Sequence, residues 1–184
     1  MRIPFVNLKA QYDSERTDLS RIIDSVMASG QFVGGAQVER FEKQLADYIG
    51  TAHVVGLGSG TDALILSLEA LGIGDGDEVI TSANSFVAST AAIVRVGARP
   101  VFADVLPDQN IDPERVRVAI TPRTKAIIPV HLTGRMAAMD KLIEIAKDNG
   151  VYIIEDAAQS IGSQLHGRMS GTYGHVGCFS LHPL

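Results

Sequence analysis

The sequence Val151-Tyr152-Ile153-Ile154-Glu155-Asp156-Ala157-Ala158-Gln159 begins with a β-branched and aromatic run and closes on an acid. An apolar run this short, bounded by Gly150, predicts a strand over 151–155 that is buried on both faces of a parallel sheet. Such sheets bind ligands at the carboxyl ends of their strands, so Asp156 is a candidate site residue. The alternative is that Asp156 only caps a following helix, and this stretch leaves both interpretations open.

Short apolar runs and helical patterns alternate along the chain from His53 onwards. They predict strands 53–57, 78–82, 100–105, 125–130 and 151–155, and helices 61–71, 86–96, 113–119 and 138–149. Residues 176–184 are expected to form another strand and then a loop. This alternation is typical of an α/β fold with a mostly parallel sheet.

Two helices are predicted before the alternation begins. Residues 4–12 are expected to form an extended arm, and the apolar spacing in 13–28 predicts a helix that ends at Gly30. A second amphipathic helix is expected over 38–49, ending at Gly50. Both helices need a surface on which to pack.

Composition narrows the possible functions. The 184 residues are 46% hydrophobic and 20% charged, which indicates a globular chain with one sizeable core. A net charge of −5 with both signs intermixed argues against nucleic acid or an anionic membrane as the partner, and favours a small molecule. No apolar run approaches the roughly 20 residues of a membrane span and the start has no signal-peptide pattern, so we expect a cytoplasmic protein.

Cysteine and histidine give little indication of chemistry. The single Cys178 lies in an apolar segment and is predicted to be a buried, inert thiol. The five histidines have no ligand spacing, so no metal is predicted. His131 follows a predicted strand, where it either faces a ligand or makes a loop hydrogen bond.

The glycine-rich stretch Gly56-Leu57-Gly58-Ser59-Gly60-Thr61-Asp62-Ala63-Leu64 joins the first predicted core strand to a helix that is apolar nearly all round and therefore expected to be buried. The unpaired N–H groups and the positive dipole end of a helix N-terminus favour an anion, and the Thr61 hydroxyl can add a hydrogen bond. These features predict a phosphate site. The alternative is a tight glycine turn without a ligand.

Two other phosphate-binding motifs fit the same stretch poorly. Gly58–Ala63 matches the dinucleotide pattern G-x-G-x-x-A, but that fold needs an acid at the end of the second strand, where 82–85 reads Ser-Ala-Asn-Ser. A nucleoside-triphosphate loop needs a Gly-Lys pair, which does not follow these glycines. The motifs therefore argue against both ligands.

Phe86 follows the second predicted strand, where it either stacks on a flat ring or belongs to the core. With the glycine-rich stretch and Asp156, three strand ends supply a phosphate site, an aromatic face and a carboxylate. A phosphorylated pyridine needs an anchor, a stacking face and an anion beside its ring nitrogen. The predicted ligand is pyridoxal 5′-phosphate.

Seven stretches of the chain together form a pattern that is highly specific for one protein family. They are Pro4–Leu8, Phe41–Glu42, Gly58–Leu64, Gly76–Ile80, Pro129–Gly134, Glu155–Gln159 and Phe179–Pro183. In them the chain resembles the N-terminal portion of nucleotide-sugar aminotransferases, the DegT group of fold-type-I pyridoxal-phosphate enzymes. The resemblance implies an α/β three-layer sandwich with a mostly parallel central sheet. Residues 1–184 would then be the N-terminal arm and an incomplete large cofactor-binding domain, without the small C-terminal domain.

The resemblance also implies roles for individual residues. The main-chain N–H groups of Gly60 and Thr61 and the hydroxyl of Ser180 would hold the phosphate. Phe86 would stack on the ring, and Asp156 would pair with the ring nitrogen.

Two further groups complete the implied site. Gln159 would hydrogen-bond the phenolic oxygen of the ring, and a Schiff-base lysine is expected just after Leu184, in a longer polypeptide. A different residue at that position would favour a non-catalytic or regulatory relative that binds the cofactor or the sugar, or else a sugar dehydratase.

The activity implied by the resemblance is transamination. An amino group would pass from glutamate, through the cofactor, to a keto carbon of a nucleotide-linked deoxy sugar. The Gly-Ser-Gly-Thr-Asp form of residues 58–62 resembles enzymes that act on 3-keto sugars more than those that act on 4-keto sugars, which implies amination at carbon three rather than carbon four. Active sites shared between the subunits of a homodimer are also implied.

Overall fold

A five-stranded parallel sheet forms the centre of the computed structural model, which describes residues 6–182. Its strands are β1 (Glu78–Ser82), β2 (Arg99–Ala103), β3 (Thr124–Ile128), β4 (Tyr152–Asp156) and β7 (Val176–Cys178). The strand order is β2-β1-β3-β4-β7. Two short strands, β5 (Gln164–Leu165) and β6 (Arg168–Met169), form a separate antiparallel hairpin that the sequence did not predict.

Helices precede the sheet and connect its strands. They are α1 (Leu8–Ser29), α2 (Ala36–Ile49), α3 (Gly60–Ala70), α4 (Val87–Arg95), α5 (Pro113–Ala119) and α6 (Met139–Asn149). The Asp112 side chain caps α5 by accepting a hydrogen bond from the N–H of Glu114, and Pro113 occupies the first helical turn. No helix within the described residues is long and apolar enough to cross a membrane.

Apolar side chains pack on both faces of the sheet. Ile80 and Ile153 lie in a cluster with residues of α5 and α6. Their neighbours Val79 and Ile154 lie in a second cluster with residues of α3 and α4. Successive residues of a strand point to opposite faces, so the sheet is sandwiched between two helical layers. The predicted three-layer α/β fold and its parallel sheet are confirmed.

Two predicted elements are wrong. Residues 53–57 are not a strand, because no strand of the described chain pairs with them, and an apolar run becomes a strand only where a neighbour completes its hydrogen bonds. The extended arm is also shorter than predicted, since α1 begins at Leu8, where the Asn7 side chain accepts a hydrogen bond from the N–H of Ala10. Residues 4 and 5 lie outside the described part. From residue 60 onwards the predicted boundaries agree within two residues.

The side chains of helices α1 and α3 are less buried than the sequence predicts. None of the 22 residues of α1 is buried, although Ile22, Ile23 and Met27 form part of an apolar face. Helix α3 buries Leu64 and Leu68, but Leu66 on another side is exposed, so the expectation of a fully buried helix was wrong.

The start of β1 is held by Glu78, whose side chain is only 1% exposed. Its carboxylate accepts hydrogen bonds from the Thr121 hydroxyl at 2.6 Å and from Arg99 and Arg123. These three partners, the threonine hydroxyl first, lower the pKa of Glu78 from 4.5 to about 2. The carboxylate therefore joins the first residue of β1 to the first residue of β2 and to the segment before β3.

The depressed pKa of Glu78 predicts a pH-dependent stability. A carboxylate whose pKa is lower in the folded state stabilises the fold above its unfolded pKa of 4.5, and the contribution is lost as pH falls toward about 2. Glu78→Gln should therefore lower the melting temperature at pH 7, and its difference from wild type should shrink below pH 4.5. Glu114→Gln, which removes an exposed pair with Arg117, is the control. A constant difference across this range would contradict the assignment.

Candidate functional site

One open cavity is lined by all six residues that the sequence singled out as cofactor ligands: Gly60, Thr61, Phe86, Asp156, Gln159 and Ser180. They come from different segments: the start of α3, the residue before α4, the end of β4 with the turn after it, and the loop after β7. Parallel strands bring the residue before α4, the end of β4 and the loop after β7 to one edge of the sheet, and the start of α3 packs against that loop.

The N-terminus of α3 offers hydrogen-bond donors to this cavity. Ser59 caps the helix, accepting a hydrogen bond from the N–H of Asp62 at 3.0 Å and donating its own hydroxyl to the Asp62 carboxylate. Within the described chain no acceptor bonds the N–H groups of Gly60 and Thr61. These two groups and the helix dipole can therefore bind an anion.

Gly60 packs tightly against the loop after β7. A Cβ atom built on Gly60 would lie 2.9 Å from the Cβ of Ser180 and 3.3 Å from the main-chain oxygen of Phe179. Only glycine fits this approach without a shift. The Ser180 hydroxyl accepts a hydrogen bond from the N–H of His182, so its proton remains available for a phosphate oxygen beside Gly60.

Asp156 ends β4 with its side chain only 6% exposed. Oδ2 accepts a hydrogen bond from the Ser89 hydroxyl at 2.7 Å, and Oδ1 accepts one from the N–H of Ala158 at 3.2 Å. Burial raises the pKa of Asp156, while both hydrogen bonds and the nearby His131 act in the opposite direction. No helix begins after Asp156 in the described chain, so the helix-cap alternative was wrong.

Gln159 is oriented by the loop after β3. Its side-chain oxygen accepts a hydrogen bond from the N–H of Thr133 at 2.7 Å. Thr133 has a left-handed backbone with φ = 55°, and Gly134 follows with φ = 84°. Because the oxygen is engaged, the NH₂ end of Gln159 is the one left to donate to a ligand.

Phe86 is the N-cap residue of α4 and is 70% exposed, so the alternative that it is a core residue was wrong.

Cys178 is buried as predicted, and burial raises the pKa of its thiol to about 11. No group of three or more His, Cys, Asp or Glu side chains within residues 6–182 could hold a metal ion.

Glu155 precedes Asp156 and points to the opposite face of the sheet, where it is fully buried. Its carboxylate faces His131 Nε2 at 2.9 Å and accepts the N–H groups of Gly171 at 2.9 Å and Gly174 at 2.6 Å. His131 Nδ1 accepts the N–H of Ala137, so the ring proton is on Nε2 and is donated to Glu155.

His131 is thus a hydrogen-bonded loop residue, the more ordinary of the two interpretations of its sequence position. Ser89, Thr133 and Glu155 were not singled out from the sequence. The sequence did contain a signal for Glu155. It is an acid inside an otherwise apolar buried strand, and such an acid needs hydrogen-bond donors.

Comparison with known proteins shows that the chain is similar to sugar aminotransferases. Residues 13–184 match the model of the DegT/DnrJ/EryC1/StrS aminotransferase family. The chain is 45% identical over 183 residues to the dTDP-3-amino-3,4,6-trideoxy-alpha-D-glucose transaminase of Streptomyces venezuelae, covering 99% of this chain and 48% of that protein. It is 44% identical over 184 residues to a pleiotropic regulatory protein of Geobacillus stearothermophilus, covering 100% of this chain and 50% of that protein.

A solved structure shows the same fold. NtdA from Bacillus subtilis, solved with bound cofactor PMP (pyridoxamine 5′-phosphate), superposes with a TM-score of 0.87 at 38% identity, covering 92% of this chain and 40% of that one. The chain spans about half the length of the curated relatives it matches.

The hydrogen-bond donors around Glu155 predict that position 155 tolerates only a carboxylate side chain. Both carboxylate oxygens face N–H donors, so Glu155→Gln would turn an NH₂ group against a donor in either orientation. We expect the free energy of unfolding to fall by about 1–3 kcal/mol, measured by urea denaturation. Glu144→Gln on the exposed side of α6 is the control. Equal denaturation midpoints for wild type and Glu155→Gln would refute this description of the carboxylate.

Proposed function

The chain belongs to the DegT/DnrJ/EryC1/StrS aminotransferase family, and we propose that the polypeptide carrying it transfers an amino group to a nucleotide-linked keto sugar with pyridoxal 5′-phosphate as cofactor. The observation that carries this proposal is the meeting of two groups in one cavity. The N–H groups of Gly60 and Thr61 can bind a phosphate, and the buried carboxylate of Asp156 can bind a positively charged ring nitrogen.

Each of the six predicted cofactor ligands has a defined role in this proposal. Gly60 and Thr61 donate to the phosphate, and Ser180 adds a hydroxyl from the facing loop. Asp156 holds a proton on the ring nitrogen, and the Gln159 NH₂ group donates to the phenolic oxygen of the ring. When bound, the protonated pyridine supplies an electron sink for the substrate carbon whose proton is removed.

Phe86 supplies an exposed aromatic face at the same cavity. Stacking on a flat ring would bury apolar surface that is otherwise open to water. It would also keep water from one face of the ring and orient the ring between the phosphate donors and Asp156.

A lysine amine is needed to shuttle protons and to bind the cofactor covalently. No lysine among residues 6–182 lines the cavity. We therefore expect this amine from another part of the polypeptide, as the resemblance to the family implies. Without it, the residues described here can bind the cofactor noncovalently and orient it.

For the substrate, we propose amination at carbon three of a deoxy sugar, with glutamate as the amino donor. The support is the Gly-Ser-Gly-Thr-Asp form of residues 58–62 together with the transaminase of Streptomyces venezuelae, whose product name carries a 3-amino group. A second candidate is a regulatory protein that binds the cofactor without turnover, which the similarity to the pleiotropic regulatory protein favours.

The test of the function is a product analysis. The purified full-length polypeptide, loaded with pyridoxal phosphate, is incubated with glutamate and either 3-keto or 4-keto nucleotide sugars, and the products are identified by mass spectrometry. We expect a 3-amino sugar from wild type and at least a hundredfold less from Asp156→Ala, because the ring nitrogen loses its anion. A 4-amino product would overturn the regiochemistry alone. Cofactor binding with no amino sugar from any substrate would favour the regulatory candidate.

We also propose that the protein is a homodimer and that α1 lies in its interface. The supporting observation is the apolar face of α1, where Ile23 is 58% and Met27 64% exposed. A helix without any buried residue gains little stability from its own chain. A second copy would cover this face.

The dimer proposal predicts the effect of one charge on α1. Ile23→Glu should weaken the dimer at least tenfold, because burying an unpaired carboxylate in an interface costs several kcal/mol. Thr17→Glu, an exposed position on another side of the same helix, is the control and should leave the dimer intact. Sedimentation equilibrium measures both dissociation constants. A monomeric wild type, or equal constants for the two variants, would contradict the assignment.

A further inference from the structure

Ser89 belongs to α4, the helix whose N-cap residue is Phe86, and is not itself one of the proposed cofactor ligands. It lies in the first turn of that helix, three residues after Phe86, and is fully buried. Its hydroxyl donates to Asp156 Oδ2 at 2.7 Å across 67 positions of sequence. A single hydrogen bond therefore connects the helix that follows the aromatic residue to the acid at the end of β4.

The hydroxyl of Ser89 is the donor in this hydrogen bond, because an ionised carboxylate can only accept. The one hydroxyl proton of Ser89 is therefore directed at Asp156. A buried helical serine can instead bond its own helix, as Ser67 does with the main-chain oxygen of Ala63 at 2.6 Å. At Ser89 the hydroxyl bridges to the sheet instead.

A carboxylate beside a pyridine nitrogen shares one proton with it, and the weaker base loses that proton to the stronger. A donor to the carboxylate stabilises its charged form and so weakens it as a base. Building on the function proposed above, we propose that Ser89 is a positioning residue that keeps Asp156 ionised and thereby holds the shared proton on the ring nitrogen of the bound cofactor.

His131 after β3, Glu155 on β4 and Cys178 on β7 are titratable and adjoin Asp156. Helix α3 carries the acids Asp62 and Glu69 in its first and last turns, and the one charged residue of α4 is Arg95, in its last turn. His131 donates to Glu155, and Asp62 is bonded to Ser59. The Cys178 thiol has a pKa raised to about 11 and stays neutral. The remaining donor to Asp156, the N–H of Ala158, is main chain and bonds the other oxygen.

The test follows the proton directly. Pyridoxamine 5′-phosphate labelled with ¹⁵N in its ring binds without a covalent bond to the protein, and its ¹⁵N chemical shift reports whether the ring nitrogen is protonated. The full-length protein is compared with Ser89→Ala, with Ser89→Thr, which keeps a hydroxyl, and with Ser67→Ala, which removes a buried serine hydroxyl that bonds Ala63 and Cys178 rather than Asp156. Dissociation constants from calorimetry show whether each variant still binds the labelled compound.

We expect Ser89→Ala to lower the ratio of protonated to unprotonated ring nitrogen about tenfold, the effect of losing one hydrogen bond to a charged group. Ser89→Thr should restore the wild-type shift, and Ser67→Ala should not change it. Bound label with the same shift in wild type and Ser89→Ala, or the same change in Ser67→Ala, would overturn the role of Ser89 and leave the proposed function standing. No binding of the label to wild type would instead refute the cofactor site itself.

Discussion

Two adjacent carboxylates at the buried end of β4 impose the main constraint on this structure. Glu155 and Asp156 point to opposite faces of the sheet, and both are removed from water. A buried carboxylate without hydrogen-bond donors is strongly destabilising, so donors have to be brought to each face. The fold supplies them from α4 on one side and from the loops around β3 and β7 on the other.

Satisfying these carboxylates also builds the cavity. The bond from Ser89 fixes the start of α4, which carries the exposed ring of Phe86. The bonds from Gly171 and Gly174 to Glu155 fix the loop that leads into β7 and on to Ser180. Ser89 and Glu155 are not among the residues that line the cavity, yet they position residues that do, so the stability of β4 and the geometry of the site cannot be varied independently.

The sequence predicted those features that are local. The parallel strands follow from short apolar runs, α5 from its Asp112-Pro113 cap, and the start of α3 from the glycines before it. Residues 53–57 show the limit, because an apolar run does not say whether a neighbouring strand will pair with it. Ser89 shows the same limit more clearly. Its hydrogen bond goes to Asp156, 67 positions away, and neither the residue types nor their spacing indicates this bond.

Under the proposed function, the described residues would account unequally for the two halves of a transamination. They would place donors for a phosphate, an anion for a ring nitrogen and an amide for a phenolic oxygen, which together would hold and polarise the cofactor. Proton transfer at the substrate carbon needs an amine, and no lysine of residues 6–182 lines the cavity. In this proposal, cofactor binding and turnover depend on different parts of the polypeptide. A relative that kept this cavity but lost the amine would still bind the cofactor, which gives a physical reason why enzymes and regulators can share one fold.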